Sequence, residues 1–503
     1  MAAPGPHDSQ TERLDSVGTA ILGGGPAGLT GAYVLARRGA TGVVYEGSGI
    51  VGGIAQTVEV EGYRFDLGGH RFFTKLGPIQ RLWEEMLGED FLVRPRLSRI
   101  YYDGKFLAYP LSARDVFARL GLVESARCAL SYLAEQIRPR PTPVTFEDWV
   151  TARFGRRLYN AFFSSYTEKV WGIPGSEIRA EWAAQRIRDF SLLRAMLTIL
   201  HLSRGNITTL IEEFRYPRLG PGQMWEAFRD HVEEAGIPVV MGQRCVALRH
   251  RDGRVESIVV RDGAGEERER VVDAVLSSMP VGDLVRCLDP APPPEVLEAA
   301  GRLRHRSLCL VALMTTERQP FPDNWIYLHD PGVVAGRMQN FGAWSPDMVR
   351  PGTTCLGVEY FCFEGDEIWT MPEEEAVALA ARELGRIGLL DPSQVTGGAR
   401  VRVPKAYPVY DADYAGALET LRPYVEGFEN LRTCGRNGLH RYNNQDHSMW
   451  TAILATLDLL DGTRHDVWSV NTDAAYHEQG EVVEHVLALD PADGLPDPVV
   501  ATP

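Results

Sequence analysis

Three glycines in the pattern Gly23-x-Gly25-x-x-Gly28 stand between a short apolar run and a stretch of small and apolar residues. A second apolar run, Val43-Val44-Tyr45, comes next and ends in Glu46. The chemistry such a unit performs is the holding of a dinucleotide. Gly23 allows the tight turn, Gly25 lets the backbone approach a pyrophosphate, and Gly28 lets helix and strand pack closely. Glu46 comes about 20 residues later, where its carboxylate can accept hydrogen bonds from a ribose hydroxyl. The pyrophosphate would rest on the helix N-terminus, whose free N–H groups and dipole favour negative charge. A glycine-rich turn in some other α/β unit is the competing reading.

A second set of glycines separates FAD from NAD. Gly52-Gly53 comes soon after Glu46, and Tyr63-Arg64-Phe65-Asp66-Leu67-Gly68-Gly69-His70 lies a little further on. A second glycine pair beside the phosphates, with Gly53, Gly69 and His70 leading past an isoalloxazine ring, belongs to flavoproteins. An NAD enzyme has no use for it. Near the other end, Gly435-Arg436-Asn437-Gly438 leads into Arg441-Tyr442-Asn443-Asn444-Gln445-Asp446-His447-Ser448. Glycines before a helix that starts with polar residues suit a flavin cradle. There, backbone N–H groups and the dipole stabilise negative charge on a reduced ring. Gly435, Arg436, Asn444 and Gln445 fall in this cradle, and Asp446 could serve the ribityl hydroxyls. A capped helix start with no ligand is the bland alternative. No Ser/His/Asp or Cys/His arrangement and no metal-ligating cluster stands out.

These residues need elements to hold them. The chain has 503 residues, too many for one ordinary core. Hydrophobic content of 44% and charged content of 24% are those of a soluble globular protein. A net charge of −15 argues against nucleic acid and anionic membrane as partners, though local arginines can still grip an anionic substrate. Seven scattered cysteines form no disulfide framework. Residues 1–16 lack an apolar h-region, and 192–202 is too short to span a bilayer. A cytoplasmic enzyme is expected.

Helical periodicity marks 79–87, 113–137, 146–169 (with Thr145 as N-cap), 180–202, 225–235 and 374–387. Residues 99–110 alternate around Asp103-Gly104 as a hairpin, and 239–272 read as strands around Arg251-Asp252-Gly253. A buried strand at 274–279 marks the return to the cofactor domain, where the backbone near Val246 would meet the adenine. Residues 301–363 are strand-rich, 401–407 is a strand, and 435–459 is a glycine turn opening a long helix.

The blocks together resemble the UDP-galactopyranose mutases, more the longer eukaryotic type than the bacterial one, within the FAD amine-oxidase/protoporphyrinogen-oxidase superfamily. Phe65–His70 resembles that family's Gly-Gly-His loop. Glu168-Lys169-Val170-Trp171-Gly172-Ile173-Pro174 with Glu181-Trp182 and Arg186 resembles its KVWAVP…W…R helix. Trp325-Ile326-Tyr327, Gly336-Arg337 and Trp344-Ser345-Pro346 resemble its second arginine strand and loop. Ala406-Tyr407-Pro408-Val409-Tyr410 and Asn444-Gln445-Asp446-His447-Ser448 complete the series in family order.

The resemblance implies an α/β fold: a Rossmann-like two-dinucleotide-binding FAD domain, an inserted helical bundle and an antiparallel β-sheet substrate domain. The FAD domain would comprise 17–78, 205–290 and 411–475, the mainly helical domain 79–204 with its hairpin near 99–110, and the substrate sheet 291–410. Residues 1–16 and 476–503 would be tails.

The resemblance also implies that Arg186 and Arg337 clamp the two phosphates of a nucleotide-diphosphate sugar. Tyr327, Tyr407 and Tyr442 would give it hydroxyl contacts, and His70 would move with the flavin's redox state. Trp344 stands where the family has a tyrosine, and His440 where it has a tryptophan. The chain is also shorter than the eukaryotic type between Tyr442 and Asn444. The implied reaction is ring interconversion through a sugar adduct on N5 of reduced FAD, with NAD(P)H as the activating reductant and no net oxidation. The residues leave a second reading open, a net oxidoreductase acting on a sugar, amine or natural-product intermediate, and a third, a flavin-binding scaffold without catalysis.

Overall fold

The computed structural model describes residues 16–109, 121–137, 142–180, 213–316 and 320–471. The predicted segment 180–202 lies outside them beyond Ala180, as does 113–120 of the predicted helix 113–137.

A five-stranded parallel sheet carries the cofactor turns. Its order is Leu431–Thr433, Ala274–Ser277, Thr19–Leu22, Gly42–Tyr45 and Val239–Val240. The first strand is wholly buried, as a parallel strand covered on both faces must be. The helix Pro26–Arg37 packs on it together with Gly222–Glu234 and Gln445–Asp461, around a core that includes Ile21, Leu29, Val34, Trp225 and Ile453.

A seven-stranded sheet roofs the molecule. Its order is Val395–Pro408, His305–Thr315, Thr354–Cys362, Arg337–Asn340, Trp325–Leu328, Ser98–Tyr102 and Lys105–Ala108. The long strand His305–Thr315 is apolar on both faces. Leu308, Leu310 and Ala312 face one core with Phe65, Phe341 and Tyr407, while Cys309, Val311 and Leu313 face another with Ala376, Ala380 and Leu384. This alternation reflects the two-residue period of a strand. A third sheet of four strands runs Glu267–Val271, Arg254–Arg261, Arg244–Arg251 and Leu288–Asp289.

Two expectations change. The hairpin around Asp103-Gly104 forms, with positive φ at both turn residues as a two-residue turn requires. It belongs to the large sheet, pairing in parallel with Trp325–Leu328, and is no part of the helical layer. The helix expected over 146–169 is interrupted. Thr145 caps it in a box with Asp148, but it stops at Phe154 because Gly155 takes φ +89°. The chain re-enters at Arg156, passes a π-helical turn at Tyr159–Ser164, and ends at Trp171 before Gly172. No helix of the described residues is long and apolar enough to cross a membrane.

Leu310 is fully buried at the centre of the large sheet. Leu310→Ala is expected to destabilise the protein by about 2–5 kcal/mol, the cost of lost transfer energy plus a cavity, read as a lower urea midpoint.

Candidate functional site

Three glycine turns meet at the first turn of the helix Pro26–Arg37. Gly23 has φ +108°, and a Cβ there would lie 2.3 Å from Ser278 Oγ. A Cβ on Gly28 would lie 1.8 Å from the Gly23 carbonyl, so no other residue fits without moving the backbone. Gly25 is the N-cap, and a Cβ built on it would stand 3.6 Å from Gly53 Cα. Gly435, at φ +79°, comes so close that its Cβ would lie 2.9 Å from Ala27 Cβ. Gly52 N–H donates to the Gly24 carbonyl at 2.8 Å and pins the second turn to the first. Glu46 accepts from the backbone N–H groups of Gly24 (2.6 Å) and Ser48 (2.7 Å), which hold its carboxylate at the mouth of the cradle.

Val246 sits in a bulge of the strand Arg244–Arg251, between Cys245 and Ala247, and has no partner in the neighbouring strand's register. Asn437 Oδ1 and Asn443 Nδ2, beside the third turn, are buried without a hydrogen-bond partner. Side chains absent where phosphates would approach, and polar atoms left over where a ribityl chain and ring would lie, fit an FAD.

Beyond the cradle lies a polar wall. The Gly68–Gly69 turn rests on the strand Arg337–Asn340. A Cβ on Gly68 would lie 3.7 Å from Arg337 Nη2, and one on Gly69 would lie 3.0 Å from Gln339 Nε2. The Arg337 guanidinium donates through Nε and Nη2 to the fully buried Glu359 carboxylate at 2.6–2.9 Å. Gln339 Nε2 donates to the same carboxylate at 2.6 Å, and Trp344 Nε1 donates to Gln339 Oε1 at 3.1 Å. The Trp344 indole therefore spends its one donor inside the protein. It stacks on Trp325 with 1% exposure, so it supports the wall and does not offer a ligand contact.

Tyr407 and Tyr442 stack at 5.8 Å, with the Arg436 guanidinium 4.5 Å from the Tyr442 ring centre. Arg436 donates to the carbonyls of Asn443 (2.9 Å) and Ala406 (3.1 Å) and so ties the third turn to the roof. Tyr327 pairs in register with Arg337, and its ring meets Tyr109 and Tyr166. The long helix begins at Gln445, whose Oε1 accepts from Trp225 Nε1. Asn444 precedes it as N-cap, and the buried Asp446 accepts from the His447 backbone N–H. Arg186 lies outside the described residues, so one arginine of the expected pair is placed here.

His70 Nε2 lies 3.3 Å from the Leu67 carbonyl. Desolvation first, then the charges of Arg436 and Arg337, push its pKa down to about 3, so the imidazole is neutral at any working pH.

Several residues escape the sequence reading. Glu359 is a lone carboxylate in an apolar strand, a pattern that calls for a buried partner. Asp66 ends the strand before the glycine loop and is 1% exposed, accepting from Thr57 Oγ1 at 2.9 Å and from Tyr216 Oη. Burial pushes its pKa up to about 7. Tyr166 stacks on His329 at 4.2 Å, and Arg96 lies over the rings of Tyr109 and Trp325.

The model of the flavin containing amine oxidoreductases matches residues 26–436. The chain belongs to that family. Membership implies FAD, in agreement with the cradle. The fold is similar to that of a reduced UDP-galactopyranose mutase (TM-score 0.76, 21% identity, 92% of this chain and 97% of that one). It is also similar to that of an Exiguobacterium protein assigned as a protoporphyrinogen oxidase (0.66, 17%, 89% and 99%). A redesigned putrescine oxidase shares it too (0.57, 14%, 89% and 99%). At these identities the likeness is one of fold: α/β, with a dinucleotide-binding parallel sheet and a mostly antiparallel roof.

Two outcomes test the site. Gly25→Val, whose added Cβ meets no protein atom nearer than 3.6 Å but fills the cradle, should abolish flavin retention, seen as loss of the visible flavin absorbance in purified protein of unchanged far-UV circular dichroism. Asp66 holds its proton in the folded state to about pH 7, well above the unfolded value. Stability should therefore fall as pH rises from about 4 to 7, by up to about 1.4 kcal/mol per unit, and Asp66→Asn should flatten that fall in urea titrations.

Proposed function

We propose that this FAD enzyme interconverts the ring forms of a nucleotide-diphosphate sugar. The observation that carries the reading is Arg337. It is a permanently charged guanidinium held beside the Gly68–His70 loop among the hydroxyl-bearing rings of Tyr166, Tyr327 and Tyr407. An apolar or amine substrate has no need of it, whereas a diphosphate leaving group does. Glu359 takes the Nε and Nη2 donors, which leaves Nη1 for a phosphate oxygen. Arg186 would supply the second cation. Tyr327, Tyr407 and Tyr442 would donate hydroxyls to the same diphosphate, and Trp344 acts by fixing Gln339 and, through it, Glu359.

Gly23, Gly25, Gly28, Gly53 and Gly435 would admit the FAD phosphates and ribityl chain, Glu46 the ribose, and Val246 the adenine edge. Reduced FAD, when bound, would supply N5 as the nucleophile toward the anomeric carbon. The protein's part is to hold the leaving diphosphate, keep water out beneath the seven-stranded roof, and orient the ring with Gly69 and neutral His70. His70 stays unprotonated, so it can accept a hydrogen bond or donate one from a single nitrogen without adding charge beside the ring. NAD(P)H would serve only to reduce the cofactor.

The alternative is a net oxidoreductase of the same family, which the oxidase neighbours support at the level of fold. Dithionite-reduced holoprotein, incubated anaerobically with UDP-hexopyranoses, should convert them to furanoses while the flavin spectrum stays reduced. Arg337→Lys should lower kcat/KM about 10–100-fold, the loss of one charge-assisted hydrogen bond to the diphosphate. No conversion, with some substrate bleaching the oxidised flavin stoichiometrically, would establish the oxidoreductase reading instead.

A further inference from the structure

The loop 329–336 joins the strands Trp325–Leu328 and Arg337–Asn340, so Tyr327 stands just before it and Arg337 just after. Charges of opposite sign grip it from two sides. Lys169 Nζ donates to the carbonyls of Leu328 (3.0 Å), Asp330 (2.6 Å) and Ala335 (3.3 Å), one acceptor for each ammonium proton. The buried Glu383 carboxylate accepts from the backbone N–H groups of Val334 and Ala335 and from Tyr360 Oη. At the tip, Arg386 donates to the Gly332 carbonyl at 2.7 Å.

Lys169 lies on the helix Ser165–Trp171, which is itself fixed to the roof. Arg306, buried in the strand His305–Thr315, donates to the carbonyls of Lys169 (3.1 Å) and Val170 (3.3 Å) at the helix C-terminus, and to that of Phe361 (2.9 Å) in the next strand. A cation at that end also suits the helix dipole. One turn before Lys169, Tyr166 stacks on His329 and meets Tyr327 edge-on, and Ser165 Oγ donates to the His329 carbonyl at 3.2 Å. One ammonium thus gathers the helix, the end of one strand and the approach to the next. A neutral amide or hydroxyl has too few donors for three carbonyls.

We propose that Lys169 is a positioning residue: its ammonium, by holding both ends of this loop, fixes where Tyr327 and Arg337 stand, and diphosphate affinity falls when that charge is lost. The consequence for the diphosphate rests on the nucleotide-sugar reading above. Burial pushes the Lys169 pKa down to about 8, against the opposing pull of Glu383 and Asp330. The other groups facing it do not titrate there. Burial holds His329 neutral, with its pKa down to about 3, and keeps the Tyr166 and Tyr360 hydroxyls protonated. Arg306 and Arg386 keep their charge throughout. Below about pH 8 three protons meet three carbonyls. Above it the amine has two protons, and its lone pair faces the third carbonyl.

Two measurements on the flavin-loaded chain test this: hydrogen exchange read by mass spectrometry, and calorimetric titration with UDP-galactose between about pH 6.5 and 9. In Lys169→Met, exchange should quicken across 328–337 and stay unchanged in the strand Thr19–Leu22. Wild-type affinity for UDP-galactose should fall roughly tenfold as pH passes about 8, while Lys169→Met should already be weaker by about that factor at pH 7 and show no such fall. Asp330→Asn keeps the side-chain hydrogen bond to the Gly332 N–H and removes only the charge, so it should move the fall to lower pH. A structural clip alone would leave its midpoint in place. Unchanged exchange in Lys169→Met, equal affinity of that variant at pH 7, or a fall that Asp330→Asn does not move would overturn the proposal. Quickened exchange in Lys169→Met, with no binding of UDP-galactose by the wild type at any pH, would instead overturn the nucleotide-sugar reading and leave Lys169 as the holder of the loop.

Discussion

Everything in this molecule hangs on a space too small for a methyl group. The carbonyl of Gly23 occupies the position where a Cβ on residue 28 would be, so the helix Pro26–Arg37 presses directly on the turn that precedes it. That contact aims the free N–H groups of the helix along the ends of five parallel strands. Gly52 and Gly435 then close on the same spot from two other parts of the chain. A pyrophosphate needs this convergence because backbone dipoles from all three turns can then neutralise its charge.

A second constraint is electrostatic. Arg337 and Glu359 face each other from neighbouring strands of the roof, the carboxylate wholly buried and the guanidinium largely so. Each would be costly alone, and removing one partner of such a pair is expected to cost about 3–5 kcal/mol. Gln339 and Trp344 extend the pair into a chain of donors that ends in a stacked indole. The chain makes the direction of the arginine a property of the sheet. Arg436, held by two carbonyls against the stacked rings of Tyr407 and Tyr442, is fixed in the same way.

The cofactor turns are legible in the sequence because glycine spacing records a backbone requirement. Gly23, Gly25 and Gly28 stand where their types demand, and Glu46 ends its strand as spacing requires. The apolar runs at 19–22, 43–45 and 274–279 are likewise strands of one sheet. Register between distant segments is not legible. Nothing local in Asp103-Gly104 says that its hairpin joins a strand more than two hundred residues away. A break at Gly155 is invisible to a helical pattern that resumes in phase beyond it. Trp344 reads as a ligand contact by position alone, and its burial depends on Trp325, Phe214 and Tyr216, which only the fold brings to it. Glu359 escapes notice because a single acid in an apolar strand gives no clue to its partner.

The order of strands in the parallel sheet bears on how the chain is made. Its central strand is Thr19–Leu22, but one neighbour comes from 274–277 and an edge from 431–433. The cofactor cradle is thus assembled from the first and last parts of the described chain, and the roof likewise joins residues near 100 to residues near 326. Contacts so far apart in sequence are slow to form and leave strand edges bare in the meantime. On a ribosome, the first glycine turn emerges long before the third. Flavin capture is therefore a late event in synthesis, and in a cell short of flavin an almost complete chain would have to wait, with apolar edges open to chaperones and proteases.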